Sequence, residues 1–254
     1  MMMTDMIISE WIKYKRSFAK KLAFIAPLFF ILYGAILSYY LPEQTKPTWD
    51  VLLAMIFNWW PILFIPIGIS LLCTLAELRE KKAGNYRSIR SNNISMFKLW
   101  FSKITVIGFY MLLSSSVLML TALLTGLWTA GGDIPFSKII GAGGVIWLVA
   151  LGLIPIHLYA AARFGAFAGL LLGLVAMFTG VLAAPQTYWI FVPWSWPIRL
   201  MSPMVGVHPN GVMLQAGDPL LDSSVIPTGL IVSLLFLIVS SVITAYLFSR
   251  REVR

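Results

Sequence analysis

The chain has 254 residues, of which 59% are hydrophobic and 11% charged, with a formal net charge of +9. A soluble domain carries about a quarter charged residues, so this composition excludes an ordinary soluble fold and points to one polytopic membrane domain spanning 1–254. The cations lie beside apolar runs, which speaks for membrane topology over nucleic-acid binding. The single cysteine, Cys73, excludes an intrachain disulfide and a cysteine metal cluster.

In chain order, residues 1–21 come first. Ile8, Trp11, Lys15 and Phe18 recur at three- and four-residue steps, with Lys13, Arg16 and Lys20 on another face. That pattern predicts an amphipathic helix lying along the inner leaflet, its lysines able to snorkel. A first span follows at 22–41. It runs into "SYYLPEQ" with no small-residue cleavage site, so it reads as an uncleaved helix rather than a signal peptide.

Further runs at 51–76, 104–128, 139–161, 164–184 and 225–249 each reach the roughly 20 apolar residues a span needs. None of the six contains Asp, Glu, Lys or Arg. With both termini placed in the cytoplasm, only Lys46, Lys138 and Arg199 of the 19 lysines and arginines fall outside. Pro61, Pro66 and Pro155 predict kinks. Gly165, Gly169 and Gly173 form a small-residue stripe for close helix contact, either with a second subunit or within the chain.

Two connections stand out. Residues 77–103 join the second and third spans on the cytoplasmic side and begin "ELREKKAGNYRSIRSNN". Helix should continue past Glu77 and Glu80, Gly84 should stop it, and Ser95 should cap the helix that opens the third span. Lys98 and Lys103 should snorkel to the headgroups. Charge alone also allows a plain solvated positive-inside loop. Residues 185–224, on the outer side, are apolar and aromatic but contain five prolines across "APQTYWIFVPWSWPIRLMSPMVGVHPNG". Short re-entrant or interfacial helices near 186–205 are expected, capping the bundle.

Catalytic chemistry is not indicated. No H-E-x-x-H, G-x-S-x-G or phosphate loop is present. His157 is the lone ionisable group within a span and reads as a packing residue, and His208 is remote from it. Any work this chain does must draw energy from another polypeptide.

The stretch from Glu77 to Lys103 resembles the intracellular coupling loop of the second class of ABC exporter permeases. "NWWPILFIPIG" and "VPWSWPIRLMSPMVGVHPNG" narrow the resemblance to permease subunits of lantibiotic-immunity ABC transporters, of the epidermin, mutacin and nisin self-protection type. It covers essentially the whole chain. It implies an all-α fold of six transmembrane helices, with an interfacial N-terminal helix, a coupling helix between spans two and three, and short outer helices between spans five and six.

The resemblance further implies a multi-pass protein of the bacterial plasma membrane with no cofactor of its own. ATP and magnesium would be handled by a partner ATPase homodimer on the cytoplasmic face. A second, identical or homologous permease would complete the transporter, surrounded by membrane lipid. The cargo would be a lantibiotic expelled for self-protection. Glu77, Arg79, Glu80, Lys81, Gly84, Tyr86, Arg87 and Arg90 would form the ATPase contact, Glu77 and Glu80 pairing with the ATPase or with Arg79, Lys81 and Lys82. Trp11, Lys13, Arg16 and Phe18 would form a second lever. Trp59, Trp60, Trp189, Trp194, Trp196 and Arg199 would form a cargo surface or outer lid. Export of another drug, lipid or peptide, or service as a non-transporting anchor or sensor, are the rival readings.

Overall fold

An apolar run with no water beside it can satisfy its peptide groups only by hydrogen bonding to itself, so each run becomes a helix. The computed structural model describes residues 2–40 and 47–250. Glu43 and Lys46 of the first outer loop, and Arg251 and Arg254 of the tail, lie outside them. Among the described residues no strand forms, and six helices are long and apolar enough to cross a membrane.

A short helix α1 (Met3–Lys13) precedes the first spanning helix, α2 (Phe18–Tyr40). The second spanning helix, α3, runs over Trp49–Lys82, and a five-residue helix, α4, over Arg87–Ser91. Then come α5 (Met96–Thr129), α6 (Phe136–Phe164), α7 (Ala166–Ala183) and, after the proline-rich segment, α8 (Val225–Ser249). Hydroxyl side chains open three of these helices. Ser17, Thr48 and Ser95 accept from the backbone N–H of Lys20, Val51 and Lys98 respectively.

Two of the three prolines expected to kink the spans, Pro61 and Pro155, coincide with local changes of helix type. α3 widens to a π turn over Trp60–Phe64, where Pro61 has no N–H to give, and α6 tightens to a 3-10 turn over Leu151–Leu153, just before Pro155.

α5 is the central strut, touching α1, α2, α6 and α8, while α3 packs against α6 and α7. Lipid offers no hydrophobic drive for helix pairing, so close approach and hydrogen bonds hold the bundle. Ser70 donates to the carbonyl of Gly169 at 2.5 Å, Ser115 to that of Gly143 at 2.7 Å, and Trp147 to that of Gly108 at 3.0 Å.

The glycine stripe divides. A Cβ on Gly169 would lie 2.5 Å from the Thr74 hydroxyl, and one on Gly173 would lie 2.6 Å from the Ser70 Cβ. Both therefore seat α7 on this chain's own α3, so the contact is intramolecular. Gly165 is not on that face. It forms the α6–α7 joint at φ +90°, a left-handed conformation that suits glycine, with open space around it.

Four short turns, at Trp189–Phe191, Pro193–Ser195, Trp196–Arg199 and Met201–Val205, close one end of the bundle. They pack against α3, α6 and α7. The tryptophans expected to form a surface here are turned inward instead. Trp196 is 2% exposed and Trp189 9%, Trp194 is half-buried, and Trp60 is buried in α3 against Phe64. Of these tryptophans only Trp59 is substantially open, at 52%. Prolines prevent a regular helix, and the Trp196 indole N–H then serves the broken backbone, donating to the Ile190 carbonyl at 2.9 Å, while Trp194 donates at 3.1 Å to Nε2 of the His157 side chain on α6. Arg199 is 5% exposed and donates to the Leu220 carbonyl at 2.9 Å, tying the cap to the turn Pro219–Leu221.

Candidate functional site

At the opposite end, α3 continues two turns past its apolar stretch and carries charge inward. Glu77 and Glu80 fall on the same face as Cys73, and they are 7% and 4% exposed. Facing them is Lys103 of α5, 1% exposed, whose ammonium lies 3.2 Å from Glu80, 3.5 Å from Glu77 and 3.8 Å from Glu10. Glu10 comes from α1 and is also 1% exposed. Lys13 bridges Glu10 at 2.5 Å and Glu80 at 2.6 Å. Arg79 turns the other way. It donates to the Lys13 carbonyl at 2.7 Å and lies 4.2 Å above the ring of Tyr14.

The loop joins this cluster through Tyr86. Its hydroxyl donates to both oxygens of Glu77, at 2.7 and 2.8 Å, and its ring packs edge-on to Phe248 of α8. Burial pushes the Tyr86 phenol well above its ordinary pKa, and the pull of Lys103 does not reverse that. It therefore stays protonated and remains a donor. Burial raises Tyr14 in the same way, against the pull of Arg79.

The backbone is shaped to deliver that side chain. α3 ends in a Schellman motif, with Asn85 N–H bonding to the Glu80 carbonyl and Gly84 N–H to that of Lys81. Gly84, Asn85 and Tyr86 all have positive φ, at +97°, 51° and 68°. For an aromatic residue that conformation is strained, and the Glu77 hydrogen bonds and buried ring hold it in place.

Several expected placements are thereby corrected. Lys103 does not snorkel to headgroups, because three carboxylates draw it inside. Glu77 and Glu80 pair with Lys103, Lys13 and Tyr86, not with Arg79, Lys81 or Lys82, and they are not open to a partner. Tyr86 is buried as well. The exposed tip consists of Lys81, Lys82, Gly84 and Arg87, with Arg90 half-buried. Beside it a cavity of about 260 Å³ opens between α3 and the α6–α7 joint, with Lys81 and Arg163 at its rim.

The amphipathic run is broken at residues 14–17, so Trp11 and Phe18 belong to different helices. Trp11 stacks on Tyr110 of α5, with ring centroids 5.2 Å apart, while Arg16 and Phe18 are exposed. Glu10 and Lys103 were missed as site residues. The one signal in the sequence was that each adjoins an apolar stretch, Glu10 one turn before the end of α1 and Lys103 two turns after the start of α5.

Among the described residues no group of His, Cys, Asp and Glu could hold a metal ion. The arrangement is mechanical: α1, α3 and α5 meet in one withdrawn set of ion pairs, and the loop joins it as a fourth segment through the Tyr86 hydrogen bonds.

The model of the family described as ABC-2 family transporter protein matches residues 6–180. The chain belongs to that family. No curated protein and no solved structure matches it. This ABC-2 transporter protein is thus a multi-pass membrane permease subunit, the membrane component of a transporter. Every residue of the charge cluster lies inside the matched segment, as does the exposed tip, whereas the four turns of the cap and all of α8 follow it.

Proposed function

We propose that this ABC-2 permease subunit exports a lantibiotic-type peptide from the bacterial plasma membrane, giving its producer immunity. A homodimeric ATPase, which binds ATP and magnesium, docks on the end bearing the charged loop, and that end faces the cytoplasm. A second permease, identical or homologous, completes the pathway.

The observation that carries this reading is the charge cluster. A force applied to the tip at Lys81, Gly84 or Arg87 reaches Glu77, Glu80 and Tyr86 directly, and through Lys103 and Lys13 it reaches α5 and α1. Pulling one buried partner from such a set costs about 3–5 kcal/mol. The four segments therefore move together, and α5 carries the motion to the centre of the bundle. The ATPase contact is made by the exposed residues, with Glu77 and Glu80 transmitting rather than touching.

The cargo assignment rests on the other end. Trp59, Trp128, Tyr188 and Phe191 are exposed there, and Asp133, Asp218 and Asp222 accompany them, while Lys138 is engaged by Asp50 at 2.7 Å. An aromatic, weakly acidic rim suits an amphiphilic, cationic peptide leaving lipid.

The test is protection of a sensitive host that expresses the complex, challenged with a panel of lantibiotics and unrelated drugs. The expected result is protection confined to lantibiotics, lost in Lys81→Glu/Arg87→Glu while ATP hydrolysis continues. Resistance to the drugs alone would replace the cargo assignment. Full protection by the charge-reversed variant would remove the docking assignment.

A further inference from the structure

The elbow between α1 and α2 carries a second charged feature that coupling does not use. An open cleft of about 510 Å³ lies beside it, lined by Ile12, Lys13, Lys15, Arg16, Ser17 and Arg79. No carboxylate lines this cleft. Glu10 and Glu80 hold Lys13 from the cluster side, whereas Lys15 and Arg16 are exposed and make no ion pair among the described residues.

Arg79 is the informative member. One of its terminal nitrogens is taken by the Lys13 carbonyl. Its Nε and the other terminal nitrogen are shielded from solvent and have no hydrogen-bond partner. A guanidinium edge left without an acceptor is costly, and its paired donors match two oxygens of a phosphate or carboxylate.

The frame around it is preformed. Ser17 caps α2 through Lys20 N–H and donates to the Tyr14 carbonyl, and Tyr14 is clamped between Arg79 and Tyr110. The cleft also has an apolar border. Ile12 is 61% exposed, and Phe18, the first residue of the spanning helix, is also 61% exposed. A free inorganic anion would use the cations and leave that border empty.

We propose that this cleft binds the phosphodiester headgroup of an anionic phospholipid, with acyl chain laid over Ile12 and Phe18. The headgroup is held where α2 enters the bilayer, beside a spanning helix, the position at which basic residues are drawn to an anionic leaflet surface. Because Lys13 and Arg79 also belong to the charge cluster, bound lipid fixes α1 against α3. That regulatory consequence rests on the coupling reading, but the binding itself does not.

The test uses the purified full-length chain. Retention of phosphatidylglycerol and of phosphatidylcholine is measured by native mass spectrometry, and thermal unfolding is followed with each lipid and with inorganic phosphate. Two variant pairs are compared, Lys15→Gln/Arg16→Gln in the cleft and Lys20→Gln/Lys21→Gln, equally exposed but outside it. At about 1 kcal/mol per basic residue near an anionic surface, the first pair should weaken phosphatidylglycerol binding at least about tenfold with helicity unchanged. The second pair should lose clearly less. Equal losses from both pairs would reduce the effect to diffuse attraction and overturn the site. So would equal retention of phosphatidylcholine. Stabilisation by inorganic phosphate matching that by phosphatidylglycerol would assign the cleft to a free anion instead. Lipid binding can fail while lantibiotic protection persists, and the reverse also holds, so the two proposals fail separately.

Discussion

The ammonium of Lys103 lies 3.2 Å from the carboxylate of Glu80, with both side chains nearly closed off from solvent. Lys103 lies two turns into α5 and Glu80 in the last turn of α3, so the pair clasps the two helices that flank the charged loop. Removing Lys103 leaves Glu77 with no cation beside it, whereas Glu80 keeps Lys13, and a Lys103 without Glu80 keeps Glu77 and Glu10. Lys103→Ala should destabilise the chain by about 3–5 kcal/mol, and Glu80→Ala by less, because Lys103 then keeps two carboxylates. The double change Glu80→Met/Lys103→Met should cost less than the sum of the two single ones, since the contact between them is lost only once. Thermal unfolding in detergent or nanodiscs reads this. Additive losses in the double variant would mean that the pair is not coupled.

Tyr86 makes a narrower prediction. Tyr86→Phe keeps the ring against Phe248 but deletes the hydroxyl that serves Glu77. A hydrogen bond to a charged group is worth about 1.5–3 kcal/mol, and that loss should appear as lower thermal stability. Gly84→Ala acts differently. It places a Cβ at φ +97° in open space, so its cost is backbone strain without a clash, on the order of 1 kcal/mol. A larger loss for Gly84→Ala than for Tyr86→Phe would reverse this account of the loop.

The spans, the Ser95 cap and the glycine stop at residue 84 were legible in the sequence, because each rests on local periodicity or local backbone chemistry. The charge cluster was not. Lys13 and Glu80 stand 67 positions apart, and nothing in either neighbourhood marks them as partners. A lysine next to an apolar run reads as a snorkelling residue unless carboxylates from other segments are known to meet it. The cap tryptophans misled for a related reason. An aromatic, proline-broken stretch has the composition of an interfacial belt, and only packing shows that the indoles of Trp189 and Trp196 turn inward.

The α3–α7 contact should respond to side-chain size. Gly173→Leu has no room beside Ser70 and the Pro66 carbonyl, so it should cost about 1–3 kcal/mol or push the helices apart. Gly165→Ala meets no neighbouring atom and should cost only strain at its positive φ. Thermal unfolding of the two variants distinguishes overpacking from strain, and equal losses would contradict the division of the stripe.

Orientation is open to chemical labelling, because the native thiol is hidden. Cys73 is 0% exposed, so the unmodified chain should resist a membrane-impermeant maleimide. Arg87→Cys and Asp133→Cys each put a thiol at an exposed position at opposite ends of the bundle. In intact cells only Asp133→Cys should react, and in inverted vesicles only Arg87→Cys. The opposite pattern would place the charged loop outside and leave no route for a cytoplasmic ATPase.

The cap offers the last test. His157 is 0% exposed, and its Nε2 accepts from the Trp194 indole, while Nδ1 has no partner. Trp194→Phe keeps an aromatic ring but removes the donor, leaving the imidazole unsatisfied at both nitrogens. A buried polar group without a partner costs about 1–3 kcal/mol. His157→Leu removes the polar group along with its need for a partner, so in the Trp194→Phe background it should restore part of the loss. If it deepens the loss instead, the histidine is held by packing rather than by its hydrogen bond, and the cap is attached to α6 through its apolar contacts.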